Sequence, residues 1–117
     1  MITQVTDSQV VGETQSTLFS ILQSGPVQAL VILKNSGVNT MNYVFQEFNG
    51  SVWTDLGTAG SVYNNTLQAN QVVTLLVSSS FPLVQLNGNA SGGAFLEFSV
   101  TRYYNRASGG ALPILNL

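Results

Sequence analysis

Five carboxylates, Asp7, Glu13, Glu47, Asp55 and Glu97, are the acidic side chains this 117-residue chain offers for acid–base chemistry near neutral pH. Histidine is absent, which removes the commonest general base and the commonest transition-metal ligand. A glycosidase needs two carboxylates facing one cleft. Glu47 and Glu97 fall in extended segments and could approach one another across a sheet. The plainer reading makes each a solvent-facing strand residue, paired with Lys34 or Arg102, and that is the reading adopted. Serines are numerous, but no histidine is present to activate one and no Ser-x-x-Lys pattern occurs. A calcium site would draw on clustered carboxylates, and no Asp-rich loop exists. Cysteine is also absent, so there is neither a disulfide framework nor a thiolate metal site. The chain is therefore expected to be no enzyme, with no catalytic residue, no metal and no cofactor.

Binding chemistry is better represented. Tyr43, Trp53, Tyr63, Tyr103 and Tyr104 could supply flat apolar faces with a polar edge, the kind of surface that stacks on sugars; Trp53 and Tyr63 are the candidates for such a platform. The competing reading makes Trp53 the core tryptophan of a sandwich, and that is the expectation here. Tyr103 and Tyr104 are adjacent in an extended run, so they must point to opposite faces. Three Asn-x-Ser/Thr sequons, at Asn49, Asn64 and Asn89, are read as coincidental in an Asn-rich chain. At the C-terminus, Leu112, Pro113, Ile114, Leu115 and Leu117 follow a Ser-Gly-Gly hinge. Apolar surface left in water costs about 25 cal/mol per Å², so this tail is expected to pack on its own domain or on a neighbouring subunit. With Tyr103 and Tyr104 it forms the candidate interface.

The composition narrows the partners. Apolar residues make up 44% of the chain and charged residues 7%, against roughly 25% charged in an ordinary soluble domain. Asn, Gln, Ser and Thr must keep the surface wet, or much of that surface is buried in an assembly; assembly is the expectation. The formal net charge of −2 excludes binding to nucleic acid by clustered cations. The longest apolar run, 29–33, is too short to span a bilayer, and no basic segment followed by an apolar run suggests a signal peptide.

The elements that would position these residues are strands. Around the run 92–106, GGAFLEFSVTRYYNR, Ala94, Leu96, Phe98 and Val100 share one face, and Phe95, Glu97, Ser99 and Thr101 the other. That period of two predicts a long central strand with a core-facing side. Further strands are expected at 17–22, 27–34, 41–48, 51–56, 72–78 and 81–86, with a short extended segment at 66–70. The run ALVIL in the second predicts a strand central in its sheet or covered on both faces. Asn49-Gly50 predicts a two-residue type I′ hairpin, and 87–93 a polar loop. Residues 1–15 are an N-terminal arm or an edge strand, 16–106 the sandwich domain and 107–117 a tail. The whole is all-β: an antiparallel β-sandwich or jelly-roll-like domain of about seven to eight strands, with Greek-key crossovers joining the sheets.

With NGSVWTDLG in the middle, SGGAFLEFSVTRYYNR near the end and an apolar tail, the chain from about Thr14 to Leu117 resembles virion structural proteins of tailed bacteriophages. It is most similar in style to their capsid decoration, or cement, proteins. That resemblance implies a homotrimer on the outer capsid surface that braces the major capsid protein and carries no catalytic residues or cofactor. A carbohydrate-binding β-sandwich, of a phage tail or fibre, is the alternative. Deleting residues 113–117 is expected to weaken self-association or capsid attachment, read by light scattering and co-sedimentation; undiminished assembly of the truncated chain would refute the tail as an interface.

Overall fold

The computed structural model describes residues 2–103, which contain nine strands and no helix. They are β1 (Ile2–Val11), β2 (Ser16–Leu22), β3 (Gln28–Asn35), β4 (Met41–Phe48), β5 (Trp53–Asp55), β6 (Asn64–Leu67), β7 (Val72–Ser78), β8 (Leu83–Asn89) and β9 (Ala94–Tyr103). Two antiparallel sheets form, one in the order β1-β9-β3-β7, the other in the order β2-β8-β4-β5 with β6 also on β4. β6 pairs with the first half of β4 and β5 with the second half, so the two act as one interrupted strand. Counted that way, eight strands form two four-stranded sheets, and the chain crosses between them at every connection except the one after β4, which is the jelly-roll arrangement. The stretch 1–15 contains an edge strand: β1 pairs with β9 over ten residues.

Alternation decides which side of each strand is buried. In β3, Ala29, Val31 and Leu33 are fully buried, while Lys34 and Ile32 face out. β3 is central in its sheet, between β9 and β7, but its outer face is not covered: Ile32 is 37% exposed. The ALVIL run thus reflects an apolar outer surface. β9 behaves as its pattern predicts, with Leu96, Phe98 and Val100 buried and Phe95 and Glu97 exposed.

Four details depart from the sequence reading. Leu18 and Phe19 are adjacent, yet Leu18 is buried and Phe19 half-buried. A register shift between Thr17 and Phe19 allows it, because a bulge inserts an extra residue and re-aims its side chain. The turn at Asn49-Gly50 is not type I′: among these two only Gly50 has positive φ, at 99°. Residues 49–52 form a four-residue connection, with the Asn49 side-chain oxygen accepting from the amides of Ser51 and Val52. β5 is accordingly shorter than expected. The polar loop expected at 87–93 begins later, since β8 runs to Asn89. Gly88 makes this possible, because a Cβ there would lie 2.9 Å from the Asn42 carbonyl oxygen. Finally, Asn35 does more than turn the chain. It is fully buried. Its Nδ2 donates to the Asn39 and Leu67 carbonyls at 2.7 and 2.8 Å, and its Oδ1 accepts from the Gly37 amide at 3.0 Å.

Replacing Asn35 by Leu removes both donors and the acceptor while leaving buried backbone groups unpaired. Each such group costs roughly 1–3 kcal/mol, so Asn35→Leu is expected to lower unfolding free energy by about 3 kcal/mol in urea denaturation.

Candidate functional site

The side chains that converge on one exposed surface lie on the outer face of the five-stranded sheet. Register places Gln46 opposite Asp55, and Phe48 opposite Trp53, across the β4–β5 pair. On the other flank Gln46 faces Gln85, and Asn87 faces Thr17. Directly opposed residues on antiparallel strands share a face. The face is therefore set by alternation in β4, whose other side (Met41, Tyr43, Phe45) belongs to the core.

The polar members form one continuous ladder. Thr17 Oγ1 lies 2.8 Å from Asn87 Oδ1 and 3.2 Å from Gln85 Oε1, and donates its hydrogen between them. Gln85 Nε2 and Asn87 Nδ2 both donate to Gln46 Oε1, at 3.0 and 2.9 Å. Gln46 Nε2 then donates to Asp55 Oδ1 at 2.8 Å. Each amide nitrogen carries two hydrogens, and this ladder uses one from each. The remaining N–H of Gln46, Gln85 and Asn87 and the unengaged lone pairs of the Asp55 carboxylate are left for a ligand or water. Beside the ladder, the Trp53 and Phe48 rings pack at 5.0 Å between centroids and 43° between planes. Leu83 and Leu22 are partners in the register of β2 and β8, and Leu22 is 62% exposed.

The sequence-derived candidates separate. Trp53 is half-buried on the outer face and is no part of the core cluster, contrary to its expected role as core tryptophan. The cause is register: it is the partner of Phe48, which alternates away from the core. Tyr63 is elsewhere. Its ring meets the buried Phe45 edge-on at 6.2 Å and its hydroxyl donates to the Leu76 carbonyl at 2.7 Å, so it ties the end of one sheet to the other and does not join Trp53. Tyr43 is buried, with its hydroxyl donating to the Val62 carbonyl at 2.7 Å. Tyr103 is buried at the end of β9, and its carbonyl accepts from Gln23 Nε2. Tyr104, Leu112, Pro113, Ile114, Leu115 and Leu117 lie outside the described residues.

The five acids are dispersed. Glu47 sits on the inner side of β4 and accepts from the Ser79 hydroxyl at 2.6 Å. Glu97 is on the outside of the other sheet, opposite Lys34. The pair therefore shares no cleft. Glu13 accepts from the Gly92 amide, Asp7 is exposed on β1, and Asp55 belongs to the ladder. What the sequence reading missed is Phe48, Gln46, Gln85 and Asn87. The signal was present as alternation, since Gln46 and Phe48 share parity in β4, but their neighbours on β8 required the strand order.

Two other surfaces stand out. The outer face of the four-stranded sheet carries Val10, Phe95, Ile32, Leu76 and Val72, all exposed, with Lys34 and Glu97 among them. Between the edges of β1 and β2 a cavity of about 250 Å³ opens over Leu18, Phe19, Ile21, Phe98 and Val100, rimmed by Asp7 and Arg102.

No protein-family model matches the sequence, and no curated protein matches it. Among solved structures, PirA resembles the fold with a TM-score of 0.54 at 16% identity, over 85% of this chain and 93% of that one. The Yersinia pseudotuberculosis-derived mitogen (YPM) resembles it with a TM-score of 0.51 at 12% identity, over 93% of this chain and 92% of that one. At these identities the likeness concerns the fold, an all-β sandwich of two antiparallel sheets.

Burial pushes the Tyr43 phenol above its ordinary pKa of 10.0. Below that value both the folded and the unfolded phenol are protonated, and stability is fully present. As pH rises past it the unfolded chain releases the proton first, and folding stability falls. Tyr43→Phe is expected to flatten this decline between pH 9 and about 11 while lowering stability near neutrality by about 1 kcal/mol through the lost hydrogen bond to Val62; urea titrations of both proteins across that range provide the check.

Proposed function

We propose that the chain is a non-enzymatic virion structural protein of the capsid cement class, acting through protein–protein contacts as a homotrimer on the outer surface of a shell built by a major capsid protein. Neither nucleic acid nor membrane enters this reading. The observation that supports it best is the outer face of the four-stranded sheet. Val10 is 70%, Val72 54% and Leu76 48% exposed there, beside Ile32 and Phe95, on a chain with only eight charged residues. Exposed apolar residues gathered on one sheet face, with Val10 opposite Phe95 and Ile32 and Leu76 on neighbouring strands, are the kind of surface that marks interaction sites in soluble proteins. The near absence of charge lowers the desolvation penalty of covering it. Jelly rolls serve both in viral capsids and in lectins, so the architecture accommodates the reading without selecting it.

Light scattering after size-exclusion chromatography is expected to give three times the mass of the 12.5 kDa chain. Ile32→Asp combined with Leu76→Asp places two charges on the exposed face and none in the core. This variant is expected to keep a wild-type circular dichroism spectrum while losing self-association and co-sedimentation with capsids. Full retention of both by the folded variant would overturn the reading.

A further inference from the structure

We infer that the outer face of the five-stranded sheet is a binding site for a neutral hexopyranose unit of an oligosaccharide, centred on Trp53, Phe48, Gln46 and Asp55. The inference is independent of the cement reading, which concerns the opposite outer face.

Four side chains make a two-by-two block. Trp53 and Asp55 lie two residues apart on β5, and Phe48 and Gln46 two apart on β4, each pair in direct register with the other. Such neighbours stand about 6.5–7 Å apart along a strand and about 4.8 Å apart between strands. That is the footprint of one sugar ring with its hydroxyls. One half of the block is aromatic and suits the C–H face of a pyranose, whose axial hydrogens pack on a flat π-surface. The other half is a carboxylate hydrogen-bonded to an amide. A sugar hydroxyl both donates and accepts, so adjacent hydroxyls can donate to Asp55 and accept from the unused N–H of Gln46.

The ladder makes this half rigid. Gln46 is fixed by three hydrogen bonds to Gln85, Asn87 and Asp55, so little side-chain entropy remains to be lost on binding. The same bonds determine which atoms remain: amide N–H donors and carboxylate lone pairs, with no cation in the ladder. An array of neutral donors with a single acceptor carboxylate matches an uncharged polyol and opposes a sialylated or sulfated one through repulsion at Asp55. The core does not require these residues, since none of the four belongs to the buried cluster. Asp55 is exposed, and Trp53 and Phe48 are only partly buried although both are large and apolar.

The test is titration of the ¹⁵N-labelled full chain with lactose, maltotriose, cellotriose and mannotriose, following the single Trp53 indole N–H by NMR and its fluorescence. At least one of these saccharides is expected to shift the Trp53 signal saturably. Trp53→Ala is expected to weaken that binding by about tenfold or more, the upper range of one aromatic contact. Asp55→Ala, at an exposed position that cannot unfold the core, is expected to weaken it several-fold and covers the case in which Trp53→Ala folds poorly. Ile32→Asp, on the other outer face, is expected to leave saccharide binding unchanged, which separates this site from the cement surface. No response of the Trp53 indole to any of the four saccharides at millimolar concentration would overturn the inference. So would wild-type affinity in Asp55→Ala.

Discussion

The two sheets are held together by a chain of aromatic rings that crosses the gap between them. Phe98 of one sheet stacks on Phe19 of the other at 4.4 Å and 25°. Phe19 meets Phe45 edge-on at 6.3 Å, and Phe45 in turn meets Tyr43 and Tyr63 edge-on. Phe45 is fully buried, so it is the ring on which the others converge. Offset stacks and edge contacts add about 0.5–1.5 kcal/mol each beyond area burial, a useful fraction of the 5–15 kcal/mol that holds a typical domain together. The bulge in β2 follows from this constraint, because Phe19 must keep the register that reaches Phe98 while Leu18 also enters the core.

Once the inner layer is settled, alternation leaves one face of every strand without an intramolecular partner. The two outer faces have different chemistry. On the four-stranded sheet the outward residues are apolar or polar and uncharged, apart from Lys34 and Glu97, which stand in cross-strand register. On the five-stranded sheet they are amides, a threonine and a carboxylate bonded into one ladder, flanked by an aromatic pair. Each face uses side chains that contribute little to the core, so substitutions there are expected to act on association more than on folding. This separation is why function in a sandwich of this size is better sought on its flat sides than in its interior.

Much of the fold was legible from local pattern. Strands at 41–48 and 72–78 have the bounds that alternation sets, and β9 buries the side its sequence indicates. Most of the errors arose where a non-local partner overrode a local signal; the turn at Asn49-Gly50 is a local side-chain effect. Asn87-Gly88-Asn89 looks like loop chemistry until β4 is placed beside it, where a side chain on residue 88 would collide with the Asn42 carbonyl. Asn49-Gly50 looks like a two-residue hairpin, but the side chain of Asn49 captures two amides and lengthens the turn. Trp53 looked like a core tryptophan because a single large aromatic is costly to expose. Only its register with Phe48 reveals that it faces outward, where Phe48 shares the burden of shielding it. The amide ladder was beyond reach of the sequence, since Thr17, Gln46, Asp55, Gln85 and Asn87 come from four strands whose order depends on crossovers between the sheets.

The scarcity of charge connects these observations. With eight charged residues in 117, long-range repulsion contributes little to keeping copies of the chain apart. Hydration must come from neutral side chains, chiefly Asn, Gln, Ser and Thr. Such groups exchange water for protein or ligand hydrogen bonds with small net change, about 0.5–1.5 kcal/mol per bond, whereas a charged surface would lose several kcal/mol of ion hydration for each unpaired group covered. A surface built this way can be hydrated and yet is inexpensive to bury. It therefore favours wet, extensive contacts held by many weak bonds over a few strong ion pairs. It also explains how one small sheet can present an apolar face while its companion presents a polar one: neither carries enough charge to oppose being covered.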